Sequence, residues 1–110
     1  MTKLKFENLV FARGMQQTIR KGKKPVCGNF FRITSKAGVD LDQAIVYEQE
    51  TYFFSEIPDN VIAMSHDPEC RTADGLLKAM KHYYPDFDEV NEVVTVVWFK
   101  LLPAIRKVND

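Results

Sequence analysis

The hydrophobic pattern of the chain is mostly that of short strands. Apolar and β-branched runs separated by turn residues predict strands around Leu4 and Phe6, at 27–33, 43–48, 51–57 and 93–102. The last run, Val-Val-Thr-Val-Val-Trp-Phe-Lys-Leu-Leu, is apolar on both faces, so we expect a central strand or a strand in a barrel wall. The polar residues 48–50 separate two of the other runs and predict a hairpin connection between them.

A first helix is predicted between the first two strands. Phe11, Met15 and Ile19 recur at every fourth position, which places them on one face of a helix. Two basic residues then occupy the last turn, where their positive charges interact favourably with the helix dipole. Gly22 follows and is a residue at which helices commonly end.

A second helix is predicted in the latter half of the chain. Asp67-Pro68 favours a helix start, because Asp caps the first turn and Pro fits its first position, and Thr72 or Asp74 is the alternative start. Apolar residues then follow helical spacing until Pro85, which ends the helix. These patterns predict an α+β protein, a small and mostly antiparallel β-barrel of about five or six strands with two helices, in one domain over 1–110.

Composition fits one globular domain. The chain has 110 residues, of which 45% are hydrophobic and 27% charged. Fifteen basic residues balance fifteen acidic ones, and this neutrality counts against a dedicated binder of long nucleic acid, so no DNA partner is predicted. The N-terminal stretch lacks a continuous apolar run and no segment approaches the roughly 20 apolar residues of a membrane helix. We therefore expect a cytoplasmic protein without signal peptide or membrane partner.

Cysteine and histidine spacing predicts no metal site. Cys27 and Cys70 form no Cys-x-x-Cys pair, and no zinc-ligand spacing surrounds His66 or His82. No cofactor is predicted, and both histidines are expected at the surface. We expect two reduced thiols, with a disulfide between them as the open alternative.

The densest group of reactive side chains is the segment 22–27, Gly-Lys-Lys-Pro-Val-Cys. Gly22 permits a turn and Pro25 bends the chain again, while an amine near a thiol favours the nucleophilic thiolate. If the protein is an enzyme, we expect its chemistry here. The structural alternative is a solvated basic face over 20–24, followed by Cys27 as a small core residue.

A set of short motifs in a fixed order covers nearly the whole chain: Ile19 with Gly22-x-Lys24, Glu69-x-x-Thr72 leading to Leu76, Tyr84-Pro85, and Phe99-Lys100-x-Leu102. In this order they resemble the ASCH domains, which have a PUA-like β-barrel fold. The match looks closest to the small bacterial ASCH proteins that act as N4-acetylcytidine amidohydrolases. The resemblance therefore implies a PUA-like barrel that hydrolyses an acyl amide on a modified nucleoside.

The resemblance also implies roles for individual residues. Lys24 falls on the position of the base, Cys27 on that of the nucleophile and Glu69 on that of the proton donor. The neighbouring residues that we expect to bind the substrate are Gly22, Lys23 and Asn29. Amide hydrolysis needs these three catalytic functions in one place, so the hypothesis requires the segment 22–29 and Glu69 to share a pocket.

A second function stays open. The wider ASCH pattern, Gly-x-Lys-x-x-Glu-x-Arg, has a glutamate and an arginine where this sequence has Cys27 and Asn29. That difference favours a non-catalytic PUA-like module that binds RNA through the basic segment from Arg20 to Lys24. A third alternative is a fold that serves only as an interaction partner. The predicted partner is accordingly a small nucleoside-type substrate or RNA, and the sequence does not indicate an oligomeric state.

Overall fold

A computed structural model describes residues 2–11, 14–23 and 28–102 of the chain. The described residues form five strands and two helices: β1 Thr2–Phe6, β2 Met15–Lys21, β3 Phe30–Ser35, β4 Asp40–Phe53, α1 Asp59–Ile62, α2 Ala73–Tyr83 and β5 Val93–Leu101. Short 3-10 turns at Phe54–Glu56 and Pro68–Cys70 precede the two helices. The structure confirms the predicted α+β class. The described residues contain five strands, which is the lower of the two predicted numbers, and two α-helices.

The strands form one curled, mostly antiparallel sheet. Their order is β1-β3-β4-β5-β2, in which β1 and β3 pair in parallel and the other neighbours are antiparallel. The edge strands β1 and β2 are brought close, because Nη1 of Arg20 in β2 donates a hydrogen bond of 2.6 Å to the Lys5 carbonyl oxygen in β1. The result is a half-barrel with a seam between its two edge strands.

The last strand is an interior strand with both faces covered, as predicted, although β4 and not β5 is the middle strand of the sheet. β5 lies between β4 and β2 and is buried on both faces. Val94, Val96 and Trp98 pack with α1 and α2, whereas Val97 and Phe99 pack with apolar residues of β1, β3 and β4. Alternate side chains of a strand point to opposite faces, so this one strand joins the two halves of the core.

Of the predicted starts of the second helix, Thr72 is confirmed, whereas Asp67-Pro68 begins a separate 3-10 turn. The Asp67 carboxylate accepts a hydrogen bond from the Glu69 backbone N–H and caps the 3-10 turn. The Thr72 hydroxyl accepts one from the Gly75 N–H and caps α2, which ends at Tyr83, two residues before Pro85. α2 has 11 residues, and no helix in the described ranges is both long and apolar enough to cross a membrane.

The first predicted helix is wrong, because residues 15–21 form the strand β2. Its four consecutive residues Gln16–Ile19 are all buried, which no amphipathic helix with spacing of four would produce. β2 pairs with β5 over its whole length and places Thr18 opposite Val97. The long-range pairing overrides the local spacing of Met15 and Ile19. Gly22 follows a strand instead of a helix and adopts a positive φ of 91°.

The predicted hairpin around residues 48–50 is wrong as well. β4 runs without interruption over 14 residues, from Asp40 to Phe53. Glu48, Gln49 and Glu50 pair with Trp98, Val97 and Val96 of β5, after a shift in register between Val46 and Glu48. The two glutamates are exposed, so the polar run marks the solvent face of a long strand.

The third strand begins later than predicted. β3 starts at Phe30, and residues 28 and 29 form a bend before it. Positions 24–27, which include the predicted start of this strand, lie outside the described residues.

Candidate functional site

A cavity of about 330 Å³ lies at the seam between β1 and β2. One side of it is formed by α2 and another by the segment 65–70, so the open side of the half-barrel becomes a cleft that stays open to solvent. We call it the seam cavity and define it by its lining residues: Lys5, Phe6, Glu7, Asn8, Thr18, Ile19, Arg20, Lys36, Ser65, His66, Asp67, Cys70, Leu76, Ala79, Met80, Tyr83 and Tyr84. Apolar walls with a few polar groups are typical of small-molecule sites.

The segment 65–67 covers the free edge of β2. The His66 backbone N–H donates to the Gln17 carbonyl oxygen at 2.8 Å, and the Gln17 side-chain amide donates to the Val61 carbonyl oxygen. A free strand edge exposes unpaired backbone groups, and these contacts satisfy some of them. The same contacts fix the wall of the seam cavity that carries His66 and Asp67.

Asp67 organises this wall. Its side chain is buried, and its Oδ1 accepts hydrogen bonds from Asn8 Nδ2 at 2.9 Å and from the Glu69 N–H at 3.0 Å. Its Oδ2 accepts a weak bond from the Cys70 thiol at 3.7 Å. The carboxylate therefore joins the loop after β1 to the start of α2.

Arg20 is the least exposed of the three cations that line the cavity, the others being Lys5 and Lys36. Its guanidinium lies 4.2 Å from the centre of the Phe6 ring, and its Nη1 is bonded to the Lys5 carbonyl oxygen. Burial lowers the pKa of Arg20 to about 10, although the nearby Tyr84 and Tyr83 oppose this shift. Within the described residues, its Nε is covered from water and has no hydrogen-bond partner. One donor of a charged side chain thus stays unsatisfied in the wall of the cavity.

His66 is part of an aromatic cluster, which corrects the expectation that it lies at the surface. Its Nδ1 is 3.0 Å from the Val10 carbonyl oxygen, and its ring stacks on Phe11 with 4.8 Å between centroids. A carbonyl oxygen only accepts, so Nδ1 carries the proton and Nε2 is the acceptor in the neutral ring. Burial lowers the pKa of His66. The other histidine, His82, is exposed as expected.

Cys70 is a free thiol in the same wall. Burial, followed by the neighbouring Asp67 carboxylate, raises the pKa of Cys70 to about 12. Only a thiolate is a good nucleophile, so Cys70 is inert at neutral pH. A nucleophilic cysteine in this protein would have to be Cys27, which lies outside the described residues.

Four of the predicted site residues lie in the described part of the chain. Gly22 and the exposed Lys23 follow β2, where the Gly22 N–H donates to the Val93 carbonyl oxygen at 2.6 Å. Asn29 is exposed before β3, and Glu69 is exposed in the 3-10 turn before α2. None of the four lines the seam cavity. Lys24 and Cys27 lie outside the described residues.

The described site residues border the cavity at different ends. Lys21, which precedes Gly22, lies 5.1 Å from the centre of the Tyr84 ring, beyond the C-terminus of α2. Glu69 lies just before the N-terminus of the same helix. An 11-residue helix is about 16 Å long, so Lys23 and Glu69 flank opposite ends of the cavity wall.

Sequence reasoning missed most of the residues that line the cavity. The sequence pattern indicates Arg20 as a basic residue at the end of a helix and in a basic segment. It indicates Asp67 as a helix cap. Neither pattern predicts that the two residues line a cavity. Alternation along β2 would have indicated that Thr18 and Arg20 share a face, but the predicted helix obscured it. Nothing in the local sequence indicates that His66 is covered, because Phe11 and Val10 reach it from more than fifty positions away.

Comparison with known proteins assigns no family. No protein-family model matches this sequence, no curated protein matches it, and no solved structure matches it. Within the described residues, no group of three or more His, Cys, Asp or Glu side chains is arranged to hold a metal ion.

Proposed function

We propose that this protein hydrolyses an acyl amide on a small modified nucleoside such as N4-acetylcytidine. The seam cavity is the observation that carries the proposal, because its volume of about 330 Å³ suits a small molecule. The resemblance to ASCH amidohydrolases singles out two segments of the chain. The one with Glu69 continues the wall formed by His66 and Asp67, and the described part of the other, Gly22 and Lys23, follows β2.

In the proposed reaction, Cys27 attacks the acyl carbon while Lys24 accepts the thiol proton. Glu69 gives a proton to the leaving nitrogen, and water then cleaves the resulting thioester to release the acid and restore the thiol. The reaction requires Lys24, Cys27 and Glu69 to meet over the substrate. Because Glu69 is exposed, its role as an acid requires the bound substrate to shield it from water.

The test is turnover of N4-acetylcytidine, followed by loss of the acetylated chromophore. We expect Lys24→Ala, Cys27→Ala and Glu69→Gln each to lower kcat about 10²-fold or more, since a positioned acid or base contributes about 10²–10⁴-fold. Lys78→Ala and Glu89→Gln change exposed residues that do not line the cavity and should retain wild-type activity. A wild-type rate no higher than that of Lys24→Ala would refute the proposal.

RNA binding is the second candidate, and the Cys27 and Asn29 positions favour it. The structure limits the charges available for it. Arg20 is turned into the cavity, and Lys21 lies against Tyr84 and pairs with Glu92 at 3.8 Å. Among the described residues of the basic segment, Lys23 alone is an exposed cation.

Salt-dependent retention on RNA tests this second candidate. If the basic segment binds RNA, a Lys23→Ala/Lys24→Ala variant should lose retention, while the exposed pair Lys78→Ala/Lys81→Ala should retain it. Equal retention of the wild type and both variants would remove the candidate.

A further inference from the structure

Arg20 is a partly buried cation without an acidic partner in the described part of the chain. It forms no ion pair with any acidic residue there. Its closest electrostatic neighbours are Tyr84 and Tyr83, and tyrosine hydroxyls carry no charge at neutral pH. Partial withdrawal of a charge from water is costly unless the charge is paired, so a cation left in this state favours binding of an anion.

One donor of the guanidinium is left without a partner. Nη1 is used by the Lys5 carbonyl oxygen and one face is covered by the Phe6 ring. Nε has no partner among the described residues. A planar guanidinium presents several N–H donors whose geometry matches the two oxygens of a carboxylate.

The acidic residues of the cavity are already engaged elsewhere. Asp67 accepts hydrogen bonds from Asn8, the Glu69 N–H and the Cys70 thiol. Glu7 lies 3.9 Å from Lys36 and 3.9 Å from His82. Neither carboxylate neutralises Arg20, but both raise the cost of bringing a second negative charge into the cavity. The cations that line the cavity are Lys5, Arg20 and Lys36, against the carboxylates of Glu7 and Asp67, so one singly charged anion balances the lining and a phosphate dianion exceeds it.

We propose that the seam cavity binds a small monocarboxylate, held by the guanidinium of Arg20, which lines the cavity. The apolar part of this ligand packs against Phe6, Ile19, Leu76 and Met80, which line the same cavity. The inference goes beyond hydrolysis, although the acid released from an acyl amide belongs to the same chemical class.

The first test uses the wild-type protein and follows the ¹⁵N-bound Nε–H signals of its arginines by NMR. Benzoate is the probe, benzamide is its neutral isostere and phenyl phosphate is the dianionic comparator. We expect a saturable shift of the Arg20 signal with benzoate, at least about tenfold weaker binding of phenyl phosphate, and no shift with benzamide. An unmoved Arg20 signal, an equal response to benzamide, or tighter binding of the phosphate would each overturn the inference.

Variants supply the second test. Arg20→Gln removes the charge and Arg20→Lys keeps it without the planar edge, and we expect both to weaken benzoate binding at least tenfold. Arg32→Gln is the matched control, because Arg32 pairs with Asp40 at 3.8 Å and does not line the cavity. If the Arg20 variants do not fold, the NMR titration of the wild-type protein with benzoate, benzamide and phenyl phosphate is the deciding test. Full benzoate affinity in a folded Arg20→Gln protein would contradict the inference.

The two proposals fail in different ways. Benzoate binding at Arg20 without turnover of N4-acetylcytidine would refute the hydrolase and leave the carboxylate site. Turnover that depends on Lys24, without a benzoate response at Arg20, would refute the carboxylate site alone.

Discussion

His66 shows how tertiary contacts change the chemistry of a single residue. An isolated histidine titrates near neutral pH, whereas this ring is stacked on Phe11, lies edge-on to Phe6 and has Nδ1 beside a carbonyl oxygen. Burial is the largest cause of the lowered pKa of His66, and the positive charges of Arg20 and Arg71 act in the same direction. The neutral ring is therefore the form that the fold accommodates.

The pKa shift of His66 predicts how stability depends on pH. Because the folded-state pKa is lowered, the unfolded chain takes up a proton more readily, so this contribution is complete above a pH of about 6.5 and is lost as the pH falls. His66→Phe keeps an aromatic ring in the stack and removes the titration. We expect the wild type to lose more unfolding free energy than His66→Phe between pH 7.5 and 5.5 in urea denaturation.

His82→Phe is the control for this experiment, since His82 is exposed. Its pH dependence should follow that of the wild type. One group changes stability by at most about 1.4 kcal/mol per pH unit, so the difference should stay below that slope. Parallel curves for the wild type and His66→Phe would show that His66 is not linked to folding.

At the scale of elements, α2 is the part of the fold that local sequence predicts best. Thr72 caps it, Pro85 follows its end, and Leu76 and Met80 form its buried face. These signals act within a few residues of one another, so no distant partner is needed to interpret them. One position of the helix nevertheless departs from its local propensity.

Gly75 lies in the first turn of α2, where propensity alone predicts that alanine would stabilise the helix by about 1 kcal/mol. A Cβ atom at this position would overlap the Glu69 carbonyl oxygen and press on the Thr72 hydroxyl. We therefore expect Gly75→Ala to destabilise the protein by about 1–3 kcal/mol, the cost of an overpacked contact. Urea denaturation monitored by Trp98 fluorescence measures the change.

Lys78→Ala provides the comparison, because Lys78 is an exposed residue of the same helix. Its effect should stay within about 0.5 kcal/mol. A Gly75→Ala protein as stable as Lys78→Ala would mean that the 3-10 turn moves away from the helix at little cost.

β2 and β4 show where prediction of elements failed. The spacing of Met15 and Ile19 suits a helix, and the run 48–50 suits a turn, yet both segments are strands paired with β5. Pairing partners such as Thr18 and Val97 are far apart in sequence. Strand formation depends on such neighbours more than helix formation does, so the local pattern was insufficient.

On the scale of the whole molecule, a half-barrel leaves two strand edges that must be covered. The Arg20 bond to Lys5 brings the edges together, and the segment 65–67 covers β2 through the His66 contact with Gln17. The space left between them is the seam cavity. The candidate site thus results from the way in which the two edge strands of the sheet, β1 and β2, are covered. It is lined by residues of β1, β2, α2 and the segment 65–70.

Phe99 links the centre of the sheet to this seam. Its ring centre lies 5.0 Å from that of Phe31, 6.0 Å from that of Phe6 and 6.2 Å from that of Phe11. Phe99 is fully buried, so Phe99→Ala leaves a cavity at the junction of β1, β3 and β5. We expect a loss of about 3–5 kcal/mol of unfolding free energy in urea denaturation.

Tyr47→Ala removes an aromatic ring that is 57% exposed and serves as the control. It should cost less than about 1 kcal/mol, because little area returns to water. Comparable losses for the two variants would indicate that the aromatic cluster is not the structural link between β5 and the seam.

The α+β class, the interior position of β5 and the Thr72 cap of α2 can be predicted from the amino-acid sequence. Each of these follows from residue types and spacings within a short window. That 15–21 is a strand, that β4 is continuous and that Arg20 lines a cavity without an acidic partner is evident only in the folded chain. These features depend on contacts between distant segments, and burial and charge pairing are properties of the folded chain that no local pattern contains.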